Sequence, residues 1–428
     1  MRSSPQPADD PDTGSTAPLG GRFWRLWGSS ALSNLADGVL KIALPLAALR
    51  LTDSPTLVAG VTFAITLPWL VCALPAGALA DRVDRRAAML GANLVRCLSL
   101  TVLALVLASG AASIWALYAV ALCVGVAETV YDTSAQSILP QVVRRRRLSA
   151  ANGRLHAAEL TAQEFVGPPL GGLLVALGVV TAFAAPAGLW LAALGVLVTV
   201  RGRYRVERAA PAPLRADIAE GLRFLWGHRL LRTLAVMVGV SNFATSAVFA
   251  VLVLYAVGPD SALGLSEPGY GVLLTATAVG SLLGALGADR VERLLGRARS
   301  LWLTVPTFAL LVGVPALSTN PYVVAAGFLV GGAGIAVWNV VTVSLRQRTT
   351  PDALLGRVNS AYRLLAWGTM PLGAAAGGIL AQFLGVRAVF AVMALLVLTL
   401  LVPMARIDRA ALEDDGSEHD DGRPGAPV

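Results

Sequence analysis

Charge is scarce in this 428-residue chain, with Asp, Glu, Lys and Arg together making up 14% of it. A soluble globular protein carries about 25%, because its surface must face water. So little charge on so long a chain excludes an ordinary soluble fold and turns much of the outside toward something apolar. Lysine is almost missing, with Lys41 alone against 33 arginines. Cysteine is sparse as well. Cys72, Cys97 and Cys123 fall in apolar stretches without metal-ligand spacing, which excludes a disulfide framework and reads as small buried hydrophobes. The chain has no GxxxxGKS or GxxxxGKT loop, which argues against ATP-driven work by this chain alone. Its first twenty residues hold no apolar h-region and read as a disordered polar tail rather than a cleavable signal.

What is present is apolar sequence in long uncharged runs, such as residues 178–200, 233–258 and 388–405. Each reaches or approaches the roughly 20 residues that cross a ~30 Å hydrocarbon core. The net charge of +8 is unevenly placed. Of the 34 Lys and Arg, 28 lie in the tails and in alternate loops, namely 81–86, 144–147, 201–232, 290–299 and 346–357. The opposite loops hold only Arg50 and Arg387. This asymmetry places the basic loops and both termini in the cytoplasm. It also argues against nucleic acid, which would gather charge on one soluble face.

Spans are expected near 23–49, 57–80, 87–109, 113–137, 151–177 and 179–200, then near 232–257, 269–288, 300–317, 321–345, 356–383 and 386–405. The fold class is an all-α polytopic membrane protein of about twelve helices. Its expected parts are a tail at 1–21, a six-helix bundle at 22–200, a cytoplasmic linker at 201–231, a second bundle at 232–406 and an acidic tail at 407–428. Leu214, Ile218, Leu222 and Leu225 recur in the linker at helical spacing between charges, which predicts an amphipathic helix at the membrane interface.

An internal repeat with an offset of 206 to 208 residues orders these spans. Ser33-Asn34-Leu35-Ala36-Asp37 matches Ser241-Asn242-Phe243-Ala244-Thr245, and Asp81-Arg82-Val83-Asp84-Arg85 matches Asp289-Arg290-Val291-Glu292-Arg293. Further on, Tyr131-Asp132 aligns with Trp338-Asn339, Ser137 with Ser344, Asn152 with Asn359, and Gly171-Gly172 with Gly377-Gly378. Two six-helix halves in one orientation imply a pseudo-twofold axis along the membrane normal, with substrate bound between them near the midplane. That design serves alternating access and points to a transporter.

The segment from Gly77 through Asp81, Arg82, Asp84, Arg85 and Arg86 resembles the loop between helices two and three of the major facilitator superfamily, departing from it at Asp84, where Gly is usual. The resemblance covers all twelve spans and implies a cytoplasmic gate. Asp81 would accept hydrogen bonds from a helix N-terminus in the other half, and Arg85 and Arg86 would pair with nearby carboxylates. Asp289 and Arg293 would form its degenerate second copy. Gly167, Pro168, Gly171 and Gly172 in the fifth span resemble the GPxxGG signature of the superfamily's antiporters. Tyr131, Asp132, Gln136, Pro140 and Asn152 resemble the branch of macrolide-efflux and enterobactin-export proteins.

Charged groups inside spans are costly and mark functional candidates. Asn34, Asp37 and Lys41 form one stripe on the first helix, with Lys41 placed to neutralise Asp37 or to set how readily it takes up a proton. Glu128, Asp132 and Gln136 form a second stripe on the fourth helix, and His156, Glu159 and Gln163 a third on the fifth, with Glu164 pointing elsewhere. Asp37, Glu128, Asp132 and Glu159 are the proton-coupling candidates, and Lys41, Arg96 and Arg154 their charge partners. Across the repeat Asp37 becomes Thr245, Glu128 becomes Ile335 and Glu159 becomes Ala366, leaving Arg363 as the internal charge of the second half. Asn34, Gln136, Gln163, Asn242, Trp338, Asn339, Arg363 and Trp367 are the substrate-cavity candidates. Structural ion pairs and interfacial tryptophans are the plainer alternatives.

The expectation is a secondary active transporter in a bacterial inner membrane. It would be a proton-coupled antiporter exporting a small lipophilic compound (drug, siderophore or metabolite). It would not be an enzyme, and would use no cofactor or metal beyond the proton gradient. The expected partners are the lipid bilayer, the substrate and protons, and the chain would be a monomer. A facilitator or importer on the same fold would differ in direction under a gradient. A transport-inactive scaffold or sensor would carry a soluble signalling domain, for which the tails are short.

Overall fold

The computed structural model describes residues 19–72, 75–76, 79, 83–202, 204 and 214–405. Among these, the first bundle holds α1 (Gly21–Leu49), α2 (Pro55–Val71), α3 (Arg85–Ala108), α4 (Ile114–Val142), α5 (Leu148–Leu177) and α6 (Val179–Val198). A connecting helix, α7 (Leu214–Gly227), leads to α8 (Arg229–Ala256), α9 (Glu267–Leu317), α10 (Pro321–Thr349), α11 (Asp352–Leu384) and α12 (Val386–Ala405). α9 contains two spans. The backbone leaves helical geometry at Gly296 (φ 75°, ψ 164°), a left-handed region that glycine enters without steric cost. The loop expected around residues 290–299 is therefore mostly helical. With α9 counted twice and α7 set aside, twelve helices build a multi-pass membrane protein.

Helix starts follow local chemistry. The Asp84, Ser113, Ser266 and Asn320 side chains accept backbone N–H bonds at the starts of α3, α4, α9 and α10. Proline follows in the first turn of α2, α9 and α10, where its missing donor costs nothing. Large apolar residues such as Trp115, Leu286, Leu317 and Phe383 stay more than two-thirds exposed. A belt of this kind on helices long and apolar enough to span a bilayer fits a lipid-facing surface. One apolar core runs through both halves, from Leu40 and Leu100 to Phe328 and Met393.

α2 packs on α11 and α5 packs on α9, joining the halves. At the end of the bundle away from the arginine-rich connections, the contact is close. A Cβ on Gly172 would strike the backbone of Glu267 and Pro268, and one on Gly271 that of Pro168. On the opposite seam a Cβ on Gly378 would meet Thr56 and Ala59. The repeat-related glycines Gly172 and Gly378 thus do the same work across each seam. Arg50 Nη2 lies 3.0 Å from Glu267 Oε1 and also donates to Val175 O at 3.2 Å, while Ser54 Oγ donates to Gln382 Oε1 at 3.0 Å. This far end is shut.

The connecting helix forms where the linker's apolar spacing predicted one. α7 docks on the second half, burying Leu225 against Val358 and Ala361, and Glu220 accepts from Arg357 at 2.7 Å. The side chains of Leu214 and Ile218 lie outside the described residues.

Candidate functional site

Counting helix residues at 1.5 Å each from the shut end sets the depth of each polar group. Lys41 lies about 12 Å in, Asp37, Glu128 and Glu164 about 18–21 Å, and Asp132 and Glu159 about 27 Å. Gln136 and Arg363 lie just over about 30 Å in, toward the basic end. The candidates therefore form a ladder from mid-membrane to the basic end.

Two ion pairs of opposite character stand in its middle. Asp37 Oδ2 lies 3.5 Å from Arg96 Nη1, with Arg96 fully buried and the Asp37 side chain 10% exposed. Arg96 Nη1 also donates to Ser33 Oγ at 3.1 Å, and the guanidinium lies near the rings of Tyr131 and Trp190 at 5.2 and 5.3 Å. Its Nε and Nη2 have no hydrogen-bond partner, and its charged neighbours are Asp37, Glu128 and Asp132. One cation therefore serves three carboxylates from inside the first bundle.

Lys41 does not neutralise Asp37, as its sequence position suggested. Its Nζ donates to both oxygens of Glu164, at 2.8 and 3.0 Å, and both side chains are well exposed, at 49% and 37%. Two local features cause this. Gly38 and Gly167 let α1 and α5 touch backbone to backbone beside Lys41. Glu164 also stands on a π-helical turn, Leu160–Val166, closed by Gly167 N–H bonding Ala162 O five residues back. Pro168 and Pro169 lack the donors that would close α-helical bonds to Glu164 O and Phe165 O, which favours the wider turn. In an α-helix residues five apart diverge by about 140°, and a five-residue hydrogen bond narrows that divergence. Glu164 consequently turns toward Lys41 of α1, where α-periodicity had pointed it elsewhere.

Glu159 accepts from His156 Nδ1 at 3.2 Å, and both are exposed. Arg154 lies 5.5 Å from the ring of Trp24, so its partner among the described residues is aromatic rather than a carboxylate. Asn34 and Gln163 are half-buried beside this group. Lower down, Arg363 Nη1 donates to Gln136 Oε1 at 2.9 Å, crossing between the halves. The Arg363 guanidinium stacks over Trp367 at 4.3 Å, and Trp367 meets Trp69 of α2 edge-on at 4.7 Å. Trp69 was missed by sequence reasoning because its stripe on α2 carries no charged group.

Two cavity candidates are otherwise engaged. Trp338 is 4% exposed and packs against Phe308 inside the second bundle, since its face of α10 turns to α9. Asn242 Nδ2 donates to Ala366 O at 2.7 Å, tying α8 to α11. Asn339 stays exposed.

Gly77, Asp81 and Arg82 lie outside the described residues. Arg85 Nη1 donates to Ser137 O at 2.5 Å, at the C-terminal end of α4. Arg86 donates to Leu197 O and Val198 O at 3.3 and 2.8 Å, so helix carbonyls, with their negative dipole end, replace the carboxylate expected there. Asp84 caps α3 through Ala87 N–H and also accepts from Tyr204 N–H at 2.6 Å, a bond glycine could not make. In the second copy Arg293 Nε donates to the backbone O of Asp289 one turn earlier in the same helix, its bond among the described residues. In the antiporter-like segment, Gly167 packs on Gly38, Gly171 on Val39, and Gly172 with Pro168 on α9.

A family model described as transmembrane secretion effector, of the major facilitator type, matches residues 13–423. The chain belongs to this family. Among curated proteins, this secretion-effector chain is 30% identical over 378 residues to the multidrug efflux pump Tap of Mycolicibacterium fortuitum, covering 85% of this chain and 90% of that one. It is 26% identical over 340 residues to the enterobactin exporter EntS of Shigella boydii, covering 77% and 78%. Among solved structures, the nucleoside transporter NupG superposes with a TM-score of 0.72 at 12% identity, covering 91% of this chain and all of that one. A bacterial homologue of the iron transporter ferroportin, in an inward-facing state, superposes at 0.70 with 19% identity over 90% and 98%. The secretion-effector chain is thus a membrane transporter of the major facilitator type with efflux-pump relatives.

Proposed function

We propose that the chain is a proton-coupled antiporter that exports a small lipophilic compound from the cytoplasm of a bacterium, with its basic end and both termini on the cytoplasmic side. The observation that carries this is the sealed Asp37–Arg96 pair at mid-membrane, with Glu128 and Asp132 in the field of the same arginine. Removing one partner of a buried pair leaves an uncompensated charge, a cost of about 3–5 kcal/mol. A proton taken up by one carboxylate lets Arg96 turn to another without leaving a bare charge. The three carboxylates can therefore hand a proton along as the halves rock. The second bundle offers no deep carboxylate, so it supplies the wall: Asn339, Arg363 and Trp367. The names of the efflux pump and exporter relatives support the outward direction.

Inverted membrane vesicles with an imposed pH gradient test the reading. Accumulation of a lipophilic substrate is expected to need the gradient and to be lost in Asp37→Asn and Glu128→Gln. Uptake indifferent to the gradient would make the chain a facilitator, and full coupling in both variants would move the proton site elsewhere.

A further inference from the structure

The second ion pair has a different use from the first. A charge turned to lipid at mid-membrane is prohibitively costly, so the exposed faces of Lys41 and Glu164 must open on water between the halves. Lys41 is moreover a charged neighbour of Glu128, which places the pair on the inward side of α1. A solvated ion pair is worth at most about 1 kcal/mol, so a ligand can open it cheaply, unlike the sealed Asp37–Arg96 pair. The surrounding charge selects which ligand. Asp37, Glu128, Asp132, Glu159 and Glu164 outnumber Lys41, Arg96 and Arg363 along the same ladder, with His156 bonded to Glu159 at its basic end, which leaves an excess of carboxylate at mid-membrane. The Trp69–Trp367 pair adds an aromatic surface on the way in.

We propose that Glu164, presented by the π-helical turn and held in reserve by Lys41, is the recognition residue for lipophilic organic cations, whose positive group displaces the Lys41 ammonium from the carboxylate. This rests on the exporter reading and names its substrate class.

Binding of tetraphenylphosphonium, a permanent lipophilic cation, to the purified full chain in lipid nanodiscs tests it, alongside thermal melts. The wild type is expected to bind. Glu164→Gln should weaken binding about tenfold or more, as loss of a charged contact does. Lys41→Met should tighten it, because the competing ammonium is gone. Should Glu164→Gln not fold, Lys41→Glu/Glu164→Lys restores the pair and is expected to bind within about threefold of the wild type. Absence of cation binding to the wild type, unchanged binding in folded Glu164→Gln and Lys41→Met, or lost binding in the folded exchange variant would each overturn the proposal. Cation binding that depends on Glu164 while vesicle uptake ignores the pH gradient would sink proton coupling and leave this assignment standing. Gradient-driven transport without dependence on Glu164 would do the reverse.

Discussion

Arg96 is sealed from solvent beside an acid, with two of its nitrogens unbonded. Such a residue is held by the charges around it more than by hydrogen bonds. Replacing it by methionine should strand Asp37 and lower the melting temperature by several degrees. Pairing Arg96→Met with Asp37→Asn should recover most of that loss, because the uncompensated charge goes with its partner. A melt of the double variant no better than the single one would show that the Tyr131 and Trp190 contacts hold the arginine instead. The acids were legible in the sequence because each is an isolated charge in an apolar run. Their pairing was not, since it depends on which helix lies against which. Lys41 sits one turn from Asp37 in sequence, yet its partner is 123 residues away.

At the scale of the element, α5 carries the clearest departure from regular geometry. Its π turn follows from Pro168 and Pro169, and it decides where Glu164 points. Changing both prolines to alanine should return the segment to α-helical spacing, turn Glu164 from Lys41 and cost tetraphenylphosphonium affinity about as much as Glu164→Gln does. Circular dichroism should show helix content unchanged, separating a rotated residue from a lost fold. Helix positions themselves were largely readable, because twenty apolar residues without charge admit few other solutions. The wide turn could have been anticipated from the two missing donors, but regular periodicity has no place for it. Likewise the loop expected before Leu301 is instead helix bent at Gly296, a position that looks like any other glycine in sequence.

Over the whole molecule, the internal repeat made the two bundles legible, and the seams between them show how the halves grip. At the far end Arg50 and Glu267 are partly exposed, at 44% and 28%, so their pair holds that end by at most about 1 kcal/mol. Arg50→Ala should therefore raise the population open at that end by up to about fivefold. Gly172→Val or Gly378→Val should open it much further, because the backbone of Glu267 and Pro268 at one seam, and Ala59 with the backbone of Thr56 at the other, occupy the space a side chain would need. Spin-label distances across that end would report both. At the basic end, Gln136→Cys with Arg363→Cys, in a chain freed of Cys72, Cys97 and Cys123, is expected to cross-link under oxidation and stop transport until reduced. Transport that continues through the cross-link would remove the Gln136–Arg363 bridge from the moving parts. The seams themselves were invisible in the sequence, because glycines that touch backbone read the same as glycines that touch lipid.

The solitary lysine has a practical consequence. Apart from the chain's own amino terminus, an amine-directed reagent can meet only one primary amine in this protein, and that amine stands in the passage between the bundles. Its two hydrogen bonds to Glu164 cover it against the reagent while the passage is empty. The rate at which Lys41 is labelled thus becomes a direct gauge of what occupies the passage, readable by mass in an otherwise unmodified chain.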